Sequence, residues 1–130
     1  MRVVIMGSGR TGSLLADMLD RANHEVTILD WDPLAFSRLP DGFSGRTVVG
    51  NAVDEDVLRS AGIEMADVFV AATSGDNRNV MASQIAKQVF RVPKVVSRIK
   101  DPIRAEIYKA LGIRVDCRTT EGVKVLQELL

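Results

Sequence analysis

The sequence contains few of the residues on which disulfide-linked, metal-binding and membrane-spanning proteins depend. It has one cysteine, one histidine and 5% aromatic residues in a chain of 130. A single cysteine excludes an internal disulfide, and His24 and Cys117 lie too far apart in sequence for metal-ligand spacing. No apolar run approaches the roughly 20 residues of a membrane-spanning helix. We therefore expect a cytoplasmic protein with an aliphatic core, no metal site and no direct membrane insertion.

The chain also lacks an excess of charge of either sign. Its 17 Lys and Arg residues are balanced by 17 Asp and Glu residues. Proteins that bind nucleic acid usually carry a basic surface, because the phosphate backbone dominates their affinity. We therefore expect no nucleic-acid partner.

Short apolar runs alternate with helical patterns along the whole chain. Predicted strands cover residues 3–6, 26–29, 47–49, 66–72, 94–99 and 114–117. Predicted helices cover residues 11–22, 33–39, 54–61, 77–90, 101–111 and 120–130, with Asn77 or Asn79 as the cap of the fourth. This alternation predicts an α/β fold, a Rossmann-like doubly wound parallel sheet of about six strands in the order 3-2-1-4-5-6. At this length, residues 1–130 are expected to form a single domain.

A glycine-rich segment joins the first predicted strand to the first predicted helix, and it reads Gly7-Ser8-Gly9-Arg10-Thr11-Gly12. In a strand–turn–helix context this spacing is typical of a dinucleotide-binding turn. The first glycine permits the sharp exit from the strand, the second admits a pyrophosphate and the third lets the helix pack closely. The helix, expected to start near Thr11, directs its free N–H groups at phosphate, and Arg10 is placed to pair with it.

An acidic residue ends the second predicted strand at the position that such a site requires. Asp30 lies about 20 residues beyond the glycine turn, where the fingerprint places its ribose-binding carboxylate. Trp31 follows, and Asp32 either touches the same ribose or only begins the next helix. A carboxylate repels a 2′-phosphate, so we expect NAD or an adenosine nucleotide rather than NADP.

The carboxyl ends of the remaining strands supply further candidate residues, because ligands of such sheets bind there. Asn51 and Ala52 follow the third strand, where Asn51 either meets an adenine edge or only shapes a turn. The polar loop after the fourth strand is placed to line phosphates or a second ribose, and Arg98 ends the fifth as a phosphate partner or a solvated cation. The loop candidates are Thr73, Ser74, Gly75 and Asn77.

No catalytic constellation is visible beside the predicted nucleotide site. Tyr108 and Lys109 are adjacent and lack the spacing of short-chain dehydrogenases, and Cys117 has no neighbouring base. These residues favour a nucleotide-binding or sensing domain over an enzyme. Two alternatives remain, a small NAD-dependent oxidoreductase and a dimerisation module that binds no ligand.

Several segments together resemble a known family. They are the glycine turn, Asp30-x-Asp32, Gly50-Asn51-Ala52, Asp56-Val57-Leu58, Ala61-Gly62-Ile63, the run from Ala71 to Asn77, and Tyr108-x-x-Leu111-Gly112-Ile113. They look like the N-terminal domain of Trk/Ktr potassium-uptake regulators, called the RCK, KTN or TrkA-N domain. The resemblance covers essentially the whole chain.

The resemblance implies a cytosolic regulatory subunit or domain of a potassium transporter or channel. Such domains bind NAD(H), ATP, ADP or AMP and assemble as dimers and rings beneath a membrane pore. Residues 120–130 resemble the start of a helix that family members cross or exchange between subunits. The apolar positions of this segment, Val123, Leu126 and Leu129, allow packing on its own sheet or on a partner, and we favour the partner.

Overall fold

A six-stranded parallel sheet forms the centre of the protein in the computed structural model, which describes residues 1–130. The strands are β1 (Arg2–Met6), β2 (Glu25–Asp30), β3 (Arg46–Val49), β4 (Val68–Ala71), β5 (Lys94–Arg98) and β6 (Arg114–Asp116). Their order is β3-β2-β1-β4-β5-β6, and every neighbouring pair is parallel. The predicted doubly wound fold is confirmed. Since β1 lies between β2 and β4, the crevice of such sheets opens at the carboxyl end of β1.

Five α-helices connect and follow the strands. They are α1 (Arg10–Arg21), α2 (Glu55–Ser60), α3 (Asp76–Gln84), α4 (Pro102–Ala110) and α5 (Arg118–Leu129). Two of them begin after an aspartate that caps the helix: Asp54 accepts from the backbone N–H of Asp56 at 2.9 Å, and Asp101 accepts from that of Ile103 at 3.1 Å. Each carboxylate satisfies an amide that has no partner within its helix.

Aliphatic side chains fill the core on both faces of the sheet. On one face Met6, Leu29 and Phe69 pack with residues of α2 and α3. On the other face Ile5 and Ile28 pack with Ala16 of α1. Strands covered on both faces carry near-continuous apolar runs, which explains why β1 and β2 were readable from the sequence.

The predicted fourth strand is too long, and the predicted caps of the following helix are wrong. β4 spans Val68–Ala71 rather than residues 66–72, because Ala66 closes a 3-10 turn and its N–H donates to Ile63. α3 begins after Gly75, so neither Asn77 nor Asn79 is its cap. Asn79 lies inside the helix and is 1% exposed.

Three predicted helices differ from the structure in geometry or in their start. Pro33–Arg38 is a 3-10 helix rather than an α-helix. The helix predicted to run to residue 90 changes at its end into a π-helical turn, Ile85–Val89. The last helix begins at Arg118, not at residue 120. None of the helices has both the length and the apolar composition that crossing a bilayer requires.

The last helix leaves its apolar side chains uncovered. No residue of α5 is buried, and Leu126 and Leu129 are 65% and 77% exposed. A shallow groove beside the first residue of α5, Arg118, also has an apolar part, because Leu14 and Met18 of α1 lie there beside Val96 of β5. Both surfaces therefore expose apolar area to solvent in the single chain.

Candidate functional site

A cavity of about 580 Å³ opens at the carboxyl ends of β1, β2, β3 and β4, where the fold rule expects a ligand. It lies between the glycine turn and the loops that follow the other three strands, and Arg98 of β5 closes one side. Its wall is formed by Met6, Gly7, Gly9, Arg10, Thr11, Asp30, Trp31, Gly50, Asn51, Ala52, Val53, Ala72, Thr73, Ser74, Arg78 and Arg98.

The three glycines of the turn meet different surroundings. Gly7 has φ +106°, a conformation that L side chains rarely adopt, and it lies against the backbone of Ala72. A Cβ on Gly12 would lie 1.8 Å from the carbonyl oxygen of Gly7. A Cβ on Gly9 would meet no protein atom within 4 Å. Gly7 and Gly12 are therefore required by the fold, whereas the space at Gly9 is open to a ligand.

Asp30 holds the turn through both of its carboxylate oxygens. The backbone N–H of Ser8 donates to Oδ2 at 2.8 Å, and that of Asp32 donates to Oδ1 at 2.9 Å. Each oxygen keeps capacity to accept a second hydrogen bond, and Asp30 lines the cavity. The carboxylate therefore fixes the two loops and still offers acceptors to a ribose diol.

The neighbouring Asp32 takes the simpler of its two expected roles. Its carboxylate accepts from the N–H of Leu34 at 3.0 Å and so caps the 3-10 helix. It does not line the cavity.

A buried asparagine fixes the loop after β4. Asn79 accepts at Oδ1 from the Thr73 hydroxyl at 2.6 Å and from the Thr73 N–H at 3.1 Å. Its amide nitrogen donates to the carbonyl oxygens of Thr73 and Arg98, at 3.0 and 2.9 Å. One side chain thus joins the β4 loop to the end of β5, and both segments line the cavity.

Asp76 ties the start of α3 to the loop after β5. Its carboxylate accepts from the N–H groups of Lys100 and Asp101, at 2.8 and 3.1 Å. Partial desolvation favours the neutral acid, but these two backbone bonds and the charges of Arg104 and Lys100 together lower the pKa of Asp76 below its ordinary value. Its charge is therefore maintained at neutral pH.

Three arginines give the cavity an excess of positive charge. Arg10, Arg78 and Arg98 all line it, and Asp30 is the only acid among the lining residues. None of the ion pairs in the structure includes any of these arginines. The Nε of Arg98 is buried without a hydrogen-bond partner. Such an arrangement attracts an anion with several oxygen acceptors.

The structure brings most of the predicted site residues together around this cavity. Those in its wall are Gly7, Gly9, Arg10, Thr11, Asp30, Trp31, Asn51, Ala52, Thr73, Ser74 and Arg98. Ser8 and Gly12 lie buried within the turn, where the Ser8 hydroxyl bonds Ser13 at 2.8 Å. Gly75 and Asn77 line an adjoining, smaller polar cavity beside Arg104, and this cavity shares Thr73, Ser74 and Arg78 with the first. That any of these residues binds a ligand stays a prediction.

Five wall residues were not predicted from the sequence. Met6, Gly50, Val53 and Ala72 flank predicted residues and were readable as strand ends. Arg78 gave no comparable signal, because it lies within a helix and reaches the cavity only through the fold. Its guanidinium carbon lies 5.4 Å from the ring centroid of Trp31.

Comparison with known proteins is consistent with this geometry. The family model described as the TrkA-N domain matches residues 3–116. The Trk system potassium uptake protein TrkA of Streptomyces coelicolor is 50% identical over 113 residues, which are 87% of this chain and 51% of that protein. The chain thus spans about half the length of this relative.

Solved structures share the fold. The RCK domain of GsuK has a TM-score of 0.82 at 25% identity, over 98% of this chain and 27% of that one. GsuK bound to ADP gives 0.81 at 24% identity, over 98% and 33%. The Kef C-terminal domain of Shewanella denitrificans in its AMP-bound form gives 0.76 at 24% identity, over 99% and 82%. At identities under 25%, the last two similarities establish the fold alone.

Proposed function

The chain belongs to the TrkA-N domain family, and on that premise we propose that it binds an adenine nucleotide and regulates a membrane potassium transporter or channel. The proposed ligands are NAD(H), ATP, ADP and AMP. The GsuK and Kef structures that share the fold hold ADP and AMP. The whole chain, residues 1–130, acts as one regulatory nucleotide-binding domain in this proposal.

The excess of unpaired arginine charge in the cavity is the observation that carries the proposal. Arg10 is the first residue of α1, within the glycine turn, and Arg98 ends β5 in the wall of the same cavity. Free backbone N–H groups and the helix dipole favour an anion at this point. The open space at Gly9 then admits a phosphate that the arginines neutralise.

The remaining walls suit the other parts of a nucleotide. Asp30 offers its free lone pairs to a ribose diol and disfavours a 2′-phosphate. Asn51 uses Oδ1 for the N–H of Val53 at 3.1 Å, which leaves its amide hydrogens for an adenine edge. Ala52, Val53 and Trp31 supply apolar surface for the base. Ser74 completes the proposed site as a hydroxyl donor, and Thr73, whose hydroxyl hydrogen is donated to Asn79, contributes to the wall.

The lining favours binding over catalysis. Apart from its arginines, the wall holds one titratable residue, Asp30, and both oxygens of Asp30 already accept backbone bonds. A proton-transfer step would need a base aimed at the substrate. We therefore propose a regulatory role rather than that of an oxidoreductase.

Assembly into homodimers, and rings of dimers, is the second part of the proposal. The uncovered face of α5 is apolar, and so is the groove between α1 and the β4–β5 surface. We assign the α5 helix of a second copy to this groove, because the contact would remove apolar area of both surfaces from water. Arg10 and Arg98 line both the groove and the nucleotide cavity, so a ligand that moves them would alter the contact between copies.

Coupling to potassium transport follows from the same assembly. A ring of such domains that binds a membrane potassium transporter or channel would transmit a change of shape to the pore. A ligand biases that ring only through its difference in affinity between two states. The proposed location is therefore cytoplasmic, at the inner face of the plasma membrane through a partner.

Isothermal titration of the chain with NAD, NADH, NADPH, ATP, ADP and AMP tests the proposal, with absorbance followed for redox change. We expect binding without turnover, with NADPH the weakest ligand because Asp30 repels its 2′-phosphate. Redox turnover would instead support an oxidoreductase. Absence of heat with every ligand would overturn nucleotide binding and leave a dimerisation module.

A further inference from the structure

Trp31 and Arg78 connect the two halves of the nucleotide cavity. Trp31 directly follows β2, and Arg78 lies in the first turn of α3, directly after the β4 loop. β1 lies between β2 and β4, so the two strands that precede these residues are about 10 Å apart. The guanidinium carbon of Arg78 nevertheless reaches to 5.4 Å from the Trp31 ring centroid. The pair therefore crosses the crevice above the glycine turn.

Few other interactions hold Trp31 and Arg78 in this contact. Trp31 is 65% exposed, and Arg78 makes no ion pair and no side-chain hydrogen bond. Cation–π pairs at such exposed positions contribute only weakly. A bound ligand therefore breaks the contact between Arg78 and Trp31 at a small cost in free energy. Once released, the guanidinium of Arg78 is free to donate hydrogen bonds to phosphate oxygens.

We propose that Arg78 is a specificity-determining residue of the nucleotide site, closed over Trp31 in the free protein and transferred to the phosphates of the bound ligand. This inference rests on the proposed nucleotide binding and goes beyond it, because it names the group that selects a phosphorylated ligand over a nucleoside. Every ligand that fills the cavity opens the contact with Trp31. Only a ligand with phosphates recovers an interaction with Arg78.

Two ligands and one substitution separate these contributions. The Arg78→Gln protein has no cation–π contact with Trp31, so no ligand has to break that contact on binding. The affinity for adenosine should therefore rise about two- to fivefold. The loss of a charge-assisted hydrogen bond affects ADP alone, so the ratio of ADP affinity to adenosine affinity should fall at least tenfold. Because the cost of opening is common to both ligands, the ratio isolates the phosphate contact.

Arg104→Gln is the matched control. Arg104 lines the neighbouring polar cavity and not the nucleotide cavity, and the substitution removes the same charge. Its ratio of ADP to adenosine affinity should stay within about threefold of wild type, since the half-buried Arg104 does not line the nucleotide cavity and its charge acts on Asp76.

The indole provides an independent readout, because Trp31 is the only tryptophan of the chain. Its emission should change on addition of ADP to the wild-type protein, with the same midpoint as calorimetry. The ligand-free emission of Arg78→Gln should differ from wild type, whereas that of Arg104→Gln should match it.

The outcomes are distinct. A lowered ratio in Arg78→Gln alone supports the proposal. ADP binding with the same ratio in all three proteins overturns the role of Arg78 and leaves nucleotide binding intact. If the wild-type protein binds none of NAD, NADH, ATP, ADP and AMP, the proposed function is overturned, and this inference with it.

Discussion

A methyl group added at either of two glycines in the same turn should change different properties. At Gly12 it should lower the stability of the fold, and at Gly9 it should lower the affinity for a nucleotide. A Cβ on Gly12 would lie 1.8 Å from the carbonyl oxygen of Gly7, so backbone has to move before Gly12→Ala can fold. Overpacking of this kind costs about 1–3 kcal/mol and occasionally more, against a gain of about 1 kcal/mol from the better helix propensity of alanine. Since the obstacle is backbone rather than a flexible side chain, we expect a cost at the upper end of this range, and the free energy of unfolding should fall by about 2 kcal/mol.

Gly9→Ala is the matched substitution. Gly9 has φ −80° and an open surrounding, so alanine should leave the free energy of unfolding within about 0.5 kcal/mol of wild type. Its methyl group occupies the space through which a phosphate approaches the N-terminus of α1. Loss of one charge-assisted hydrogen bond corresponds to about 1.5–3 kcal/mol, or a roughly 10- to 100-fold weaker affinity for ADP.

Urea unfolding and isothermal titration with ADP measure the two effects on the same samples. The reasoning requires that Gly12→Ala loses stability and that Gly9→Ala loses affinity with its stability intact. Wild-type affinity in Gly9→Ala would show that phosphate does not approach the turn there. Wild-type stability in Gly12→Ala would contradict the close packing of α1 on the turn.

Three further predictions concern single residues. Asp30→Asn should weaken ADP binding about tenfold and reduce the preference for NADH over NADPH, because a charged ribose acceptor is lost; equal titration curves would remove Asp30 from the site. The folded-state pKa of Asp76 is lowered, so its contribution to stability is present above the unfolded value, near pH 4, and lost as pH falls through the folded pKa. Asp76→Asn should therefore destabilise the protein in urea at pH 7 and much less at pH 2, and an equal loss at both would show that the charge is not what matters. Leu126→Glu should lower the dimer fraction in sedimentation velocity while Gln127→Glu, with the same added charge on α5, does not; identical behaviour of the two variants would argue against the apolar face of α5 as an interface.

Much of the site was predictable because its residues sit at the ends of strands. Gly7, Asp30, Asn51 and Thr73 each follow a recognisable apolar run, and parallel strands bring their carboxyl ends to one edge. The order of strands follows from alternating strands and helices with right-handed connections. Local sequence therefore sufficed to bring most of the cavity wall together.

Asn79 shows where local reasoning failed. Asparagine before a helical pattern usually indicates a cap. Here its side chain bonds Thr73 and Arg98 instead, in the buried space between the β4 loop and β5. The choice between these roles depends on how closely β5 approaches α3, a distance that no local pattern carries.

The sequence by itself determined the doubly wound sheet, the glycine turn and the acid that faces it, because these features depend on short-range chemistry and on strand periodicity. Only the tertiary structure decided which cations share the cavity and which apolar faces stay uncovered. Arg78 meets Trp31 because β1 separates β2 from β4 by a distance that a long side chain spans. The apolar face of α5 stays exposed because the helix buries none of its residues within the chain. Both depend on positions of elements far apart in sequence, which packing alone determines.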